Sequence, residues 1–227
     1  MLLTIPNILT SEEVAYCRKL LEASPWVDGR VTAGEQSAKA KRNLQIPQDS
    51  EVSETLGELI LKALGRSPSF NSFALPYRVF PPLFNRYDAG MHFGYHVDNA
   101  VRPIPGAGMR IRTDVSSTIF LSDPDSYEGG ALEIQDTYGV HSVRLPAGHM
   151  VVYPASSLHR VSPITRGSRW ASFFWSQSMV RDDAKRGLLY EFDCSIIETR
   201  KLLSDDNPAV LGLTNTYHNL LRQWAEL

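Results

Sequence analysis

Read for the alternation of apolar and polar positions, the chain falls into three stretches with different periods. From Met1 to about residue 75 the period is helical. In SEEVAYCRKLLEA the apolar positions Val14, Cys17, Leu20 and Leu21 recur every three to four residues, which predicts one buried helical face. Thr10, with Glu13 three residues on, reads as a capping box opening that helix. A second helix is predicted from Val52 to Leu64, closed by Gly65. The intervening DGRVTAGEQSAKAKRN is polar and glycine-bearing and reads as a loop or an irregular strand.

From about Pro76 to Ser178 the pattern changes. Short β-branched and aromatic runs (YRVFPPLFNRY, STIFLS, GALEIQ, HSVRLP, HMVVYPA, WASFFWSQS) alternate with glycine, proline, aspartate and asparagine. Many short strands without helical spacers predict a double-sheet jelly roll or a barrel. Gly129-Gly130 reads as a hairpin turn. From Arg181 the period is helical again, in ETRKLL and NTYHNLLRQWAEL. Leu213, Tyr217, Leu220, Leu221 and Trp224 share a face there, expected to pack on the sheet core. The fold class is therefore α+β: a helical part over 1–75 packed on a strand core over 76–178, then a helical extension over 179–227.

Composition narrows the function classes. With 227 residues, 43% apolar and 21% charged, the chain can bury one sizeable core. A formal net charge of −2 supplies no bulk attraction to nucleic acid or an anionic membrane, so neither is expected as a partner. Two distant cysteines, Cys17 and Cys194, give no disulfide framework. No apolar run reaches spanning length, and MLLTIPNILTSEEV lacks a basic start and is broken by Pro6. A cytoplasmic protein is expected.

The chemistry concentrates in NRYDAGMHFGYHVDNA, residues 85–100. His96 and Asp98 are two apart, so in extended backbone an imidazole and a carboxylate point the same way. Alone that pair is a weak signal; a later histidine on another strand would complete a set. His141 and His149 look like strand-end residues, whereas His159 closes the apolar VVYPASSLHRV and precedes Arg169 by ten residues. Two histidines and a carboxylate on one face of a metal, with open positions opposite, suit non-haem Fe(II) oxygenases, although zinc hydrolases use similar sets. Arg169 favours the former: a keto-acid cosubstrate chelating iron needs its far carboxylate neutralised, and a guanidinium does so bidentately. A surface-strand arginine is the plain alternative. His92 and His96 have a helical zinc spacing, but Gly90 and Gly94 argue against a helix there. Asn99 could orient Asp98 or simply turn the chain.

The order Tyr87, Gly90, His96-Val97-Asp98, STIFLSD at 117–123, Glu128-Gly129-Gly130-Ala131, Tyr153-Pro154, His159 and Arg169 resembles the prolyl- and lysyl-hydroxylase class of Fe(II)/2-oxoglutarate dioxygenases. More closely, nearly the whole chain is similar to the bacterial PKHD-type hydroxylases, including the iron-uptake-associated PiuC-like members. The resemblance implies a double-stranded β-helix (jelly-roll) core, one Fe(II) held by His96, Asp98 and His159, 2-oxoglutarate on Arg169, and L-ascorbate as reductant. Tyr87 is a candidate donor to the 2-oxoglutarate carboxylate, or else a core tyrosine. Phe93 and Phe120 stand where eukaryotic relatives often place tyrosines.

Because Asp98 is a carboxylate and not alanine or glycine, no halide position opens and hydroxylation is expected. A nucleic-acid demethylase would tend to carry a second arginine six residues after Arg169, where this chain has Trp175. Two readings remain: a hydroxylase of a protein side chain or of a small molecule such as a siderophore, linked to iron uptake or homeostasis, and a non-enzymatic iron/2-oxoglutarate sensor acting through a partner protein.

Overall fold

A computed structural model describes residues 1–32 and 39–227. Of the stretch read as a loop, residues 33–38 lie outside the described residues. The first helix, α1 (Ser11–Glu22), opens as expected: the Thr10 side chain accepts from the Glu13 amide at 3.2 Å, and the Glu13 carboxylate accepts from the Thr10 amide at 2.8 Å. Helix α2 (Glu51–Gly65) is the second predicted helix, capped by Ser50. A short α3 (Pro68–Ala74), which the periodicity does not reveal, follows with Ser67 as its cap. The C-terminal pair is α4 (Asp183–Leu202) and α5 (Pro208–Trp224).

Most strands form two facing antiparallel sheets, the expected jelly roll, and Val101–Pro103 pairs with Arg110–Arg112 as a separate two-stranded sheet. The larger runs, in spatial order, through strands Leu3–Ile5, Met150–Pro154, Val115–Phe120, Ile164–Ser178, Leu83–Asp88, Leu44–Gln45 and Val27–Asp28. The smaller runs through Gly139–Val143, Leu132–Asp136, Leu158–Val161, His92–His96 and Lys41–Arg42. Alternation along each strand assigns its faces. Phe84, Val115, Ile119, Val152, Trp170 and Phe174 of the larger sheet join Cys17, Leu21, Leu56, Ile60 and Phe70 in one buried cluster under α1, α2 and α3. The opposite parity (Tyr87, Phe120, Val151 and Tyr153) packs against Leu132, Ile134 and Val161 of the smaller sheet. The first 75 residues are thus more than a helical layer, because they lend strands to both sheets. Both cysteines are free thiols. No described helix is long and apolar enough to cross a membrane.

Two local expectations are corrected. Gly129-Gly130 does not turn a hairpin: Tyr127–Gly129 pairs with Ile164–Ser178, Leu132–Asp136 belongs to the smaller sheet, and the glycines carry the chain between them. Both have positive φ, and a Cβ on Gly129 would stand 2.0 Å from the Pro163 carbonyl oxygen. The apolar face of α5 does not lie on the sheet either. Tyr217, Leu220, Leu221 and Trp224 pack on Leu189 of α4 and on Leu75, Met179 and Val180 at the chain junctions.

Candidate metal centre and cosubstrate pocket

One open cavity lies between the sheets. His96 and His159 meet in it because they are direct cross-strand partners, with ring centroids 4.2 Å apart. The register slips beside them: His159 faces His96, but Val161 faces Phe93, leaving one extra residue on the His92–His96 strand. That bulge reverses the alternation. Phe93 and His96 therefore both line the cavity and stack at 3.7 Å. His92 is left at the far end of the strand, outside the cavity lining, consistent with the absence of a helix there. Asp98 follows the strand end, its Oδ1 3.9 Å from His159 Nε2.

The potential ligand atoms of His96, Asp98 and His159 all lie within 4.8 Å of one another. Each imidazole is held from behind: His96 Nδ1 donates to Gly94 O at 2.8 Å and His159 Nδ1 to Ser157 O at 2.9 Å. A carbonyl only accepts, so Nδ1 carries the proton and Nε2 presents a lone pair. Burial, and next the charge of His159, hold the His96 imidazole down to about 4, so it is neutral near pH 7. Asp98 Oδ2 is buried without a hydrogen-bond partner, which is costly unless a cation or donor occupies the site. It takes no bond from Asn99, whose orienting role finds no support. A donor set of two imidazoles, each held through Nδ1, and an orphaned carboxylate suits a divalent metal. His141 and His149 stand apart, bonded to Asp136 and Asn7.

Arg169 sits on the inner face of the Ile164–Ser178 strand, register partner of Tyr87. It is 1% exposed, and its guanidinium rests 5.0 Å from the Phe120 ring and 5.6 Å from the Tyr87 ring. Among the described residues it forms no ion pair, and its Nε has no hydrogen-bond partner. Burial pushes the Tyr87 phenol up to about 12, against the pull of Arg169 and Asn43, so it stays protonated and able to donate. Lys41, Asn43, Gln45, Asn85, Ser116 and Thr118 also line the cavity and escaped the sequence reading. Their signal was available in part: Asn85, Ser116 and Thr118 are polar interruptions at inward positions of otherwise apolar strands.

Residues 82–177 match the 2OG-Fe(II) oxygenase superfamily, and residues 183–226 match the PKHD-type hydroxylase C-terminal domain. Over 227 residues the chain is 76% identical to a PKHD-type hydroxylase of Gluconobacter oxydans and 66% identical to one of Methylobacterium nodulans, each match covering 100% of both chains. The chain belongs to the PKHD-type hydroxylase family. It is accordingly a 2-oxoglutarate-dependent dioxygenase, and the family implies Fe(II) and 2-oxoglutarate. Among solved structures, a Pseudomonas putida prolyl-4-hydroxylase superposes with a TM-score of 0.56 at 19% identity, over 78% of this chain and 92% of that one. HygX of Streptomyces hygroscopicus, solved with nickel, 2-oxoglutarate and hygromycin B, gives 0.54 at 17% identity, over 78% and 82%. At such identities the likeness establishes this PKHD-type hydroxylase as a jelly roll and nothing finer.

Proposed function

We propose that His96, Asp98 and His159 are the iron ligands of this hydroxylase, that Arg169 receives the far carboxylate of 2-oxoglutarate, and that Tyr87 donates to the same cosubstrate. The observation that carries this reading is Arg169: a guanidinium buried in the triad's cavity with no carboxylate partner among the described residues. A buried, permanently charged group requires a counter-anion, and a dicarboxylate chelated at the triad supplies one. With Fe(II) and O₂, the keto acid is oxidatively decarboxylated to succinate and CO₂ while a substrate C–H bond becomes C–OH. The chain's part is orientation. The Nδ1–H bonds aim both imidazoles, the rings of Phe120 and Tyr87 steady Arg169, and the apolar walls limit water.

L-ascorbate as reductant, a role in iron uptake or homeostasis, and a cytoplasmic setting rest on the family resemblance and are part of the same proposal. The substrate is a protein side chain or a small molecule. Iron-dependent succinate formation from 2-oxoglutarate, above a no-iron control, tests the reading. If the loaded protein makes no succinate alone or with cell extract, the sensor reading replaces it. Mass spectrometry of treated extract then identifies which molecule gains one oxygen.

A further inference from the structure

The two candidate imidazoles share the Nδ1–H device but differ in what lies against their rings. Phe93 lies nearly flat on His96, with centroids 3.7 Å apart and planes at 21°. Tyr153 meets His159 edge-on, at 5.3 Å and 67°. A bond from Nδ1 to a carbonyl fixes one direction only, and the ring can still rock about the line joining donor and acceptor. A second ring laid along its face stops that rocking, because a tilt would drive the two planes into each other.

His96 has particular need of such a hold, since it ends the bulged stretch of the His92–His96 strand. A bulge re-aims side chains, so the pleat alone no longer sets where His96 points. Gly94 pins the backbone there: its N–H donates to the Ala40 carbonyl at 2.9 Å, while its own carbonyl accepts from His96 Nδ1 at 2.8 Å. A Cβ on Gly94 would stand 2.9 Å from the Ala40 Cβ, closer than side chains normally approach. Phe93 is steadied in turn from the edge strand. Lys41, its register partner, is buried and sets its Nζ 5.2 Å from the Phe93 ring centroid, within reach of cation–π attraction. Backbone and ring therefore hold His96 from two sides.

We propose that Phe93 is a positioning residue of the metal centre: its ring face fixes the plane of the His96 imidazole, and so the direction in which Nε2 points. The phenyl ring has no donor atom to offer a metal, and it acts only through His96. The inference rests on His96 being an iron ligand. It assigns the bulge a purpose, since only the slipped register brings residues 93 and 96 onto one side of the strand.

The test uses the full chain with Co(II) in place of iron and saturating 2-oxoglutarate, read by proton NMR. Each ligand imidazole keeps its Nδ1–H, so two exchangeable signals are expected far outside the ordinary range. Phe93→Leu keeps an apolar side chain and loses the ring face. One of the two signals is expected to move or broaden in it, and the other to stay. Mn(II) affinity, from the electron paramagnetic resonance of the free ion, is expected to fall about two- to tenfold, the worth of one aromatic contact. Phe93→Tyr keeps the ring and is expected to keep both signals and the affinity. The proposal is overturned if Phe93→Leu leaves signals and affinity at the parent's values, or if Phe93→Tyr fares no better than Phe93→Leu. It is overturned too if both signals shift alike and the metal-free thermal midpoint drops, which marks a general loosening of the fold. Should Phe93→Leu not fold, Phe93→Met carries the same comparison. A distinct failure is a His96→Ala protein that still shows both signals. That result removes His96 from the iron set itself, and the role of Phe93 falls with it.

Discussion

His96 and His159 use the same device twice: each gives its Nδ1–H to a carbonyl two residues back in its own chain, at Gly94 and Ser157. The ring orientation is therefore local and built in before any metal arrives. Arg169 differs: among the described residues it forms no ion pair, and the faces of Tyr87 and Phe120 lie against its guanidinium. Replacing it with lysine keeps the charge and loses the fork. 2-Oxoglutarate binding should weaken by about 1–3 kcal/mol, read as a raised apparent KM; an unchanged KM sinks the assignment. Gly129 and Gly130 make a second prediction. A Cβ on Gly129 meets backbone at 2.0 Å, whereas on Gly130 it meets the end of the Ile164 side chain at 2.1 Å, which can turn aside. Both alanine variants lose stability to the positive φ, and Gly129→Ala should lose more, by roughly 1–3 kcal/mol of overpacking; equal denaturation midpoints would contradict this. That His96, Asp98 and His159 converge, with Arg169 in the same cavity, was legible from the spacing of two and of ten along the sequence. The bulge that points Phe93 and His96 into one cavity was not, because one extra residue in a strand leaves no periodic mark.

Among elements, those with long period and caps were readable: α1 with its Thr10–Glu13 box, α2 behind Ser50, and the apolar stripe of α5. The two-residue strands at 27–28, 41–42 and 44–45 were not, since two residues show no alternation; 41–42 and 44–45 pair with strands some forty to fifty residues on, and 27–28 pairs with 44–45. Helix α4 was recognised only at its end, although Asp182 caps it by accepting from the Lys185 amide. We propose that residues 179–227 are a buttress and not a separately folding domain. Arg186 of α4 is buried and donates to the Val180 and Arg181 carbonyls, Tyr190 meets Phe73 edge to face at 5.4 Å, and α5 packs on α4. Truncation after Val180 should uncover Phe73, Leu75 and Val180 and lower the thermal midpoint or cause aggregation. The isolated 181–227 peptide should be mostly unfolded by circular dichroism, because so small a piece cannot bury enough surface alone. A truncated chain that stays monomeric, equally stable and active would make the segment a detachable arm.

At the scale of the molecule, the larger sheet is covered on one face by α1, α2 and α3 and on the other by the smaller sheet, so the cavity wall belongs to a doubly packed layer. On the proposed assignment, metal and cosubstrate bind only the folded arrangement, since the residues proposed to hold them come from strands far apart in sequence. Mn(II) with 2-oxoglutarate, at about a hundredfold excess over Kd, should stabilise by roughly 2.7 kcal/mol and raise Tm by roughly 5–10 °C for a chain of this size. Asp98→Ala should abolish the rise. A variant stabilised as strongly as the parent would mean that the ligands bind elsewhere.

The most direct test of the central claim is the visible spectrum of the anaerobic protein with Fe(II) and 2-oxoglutarate. The account predicts a weak charge-transfer band from the keto acid chelated to triad-bound iron. The band should be absent in His96→Ala, Asp98→Ala and His159→Ala, each still folded by circular dichroism. A full-strength band in folded His159→Ala would contradict the account.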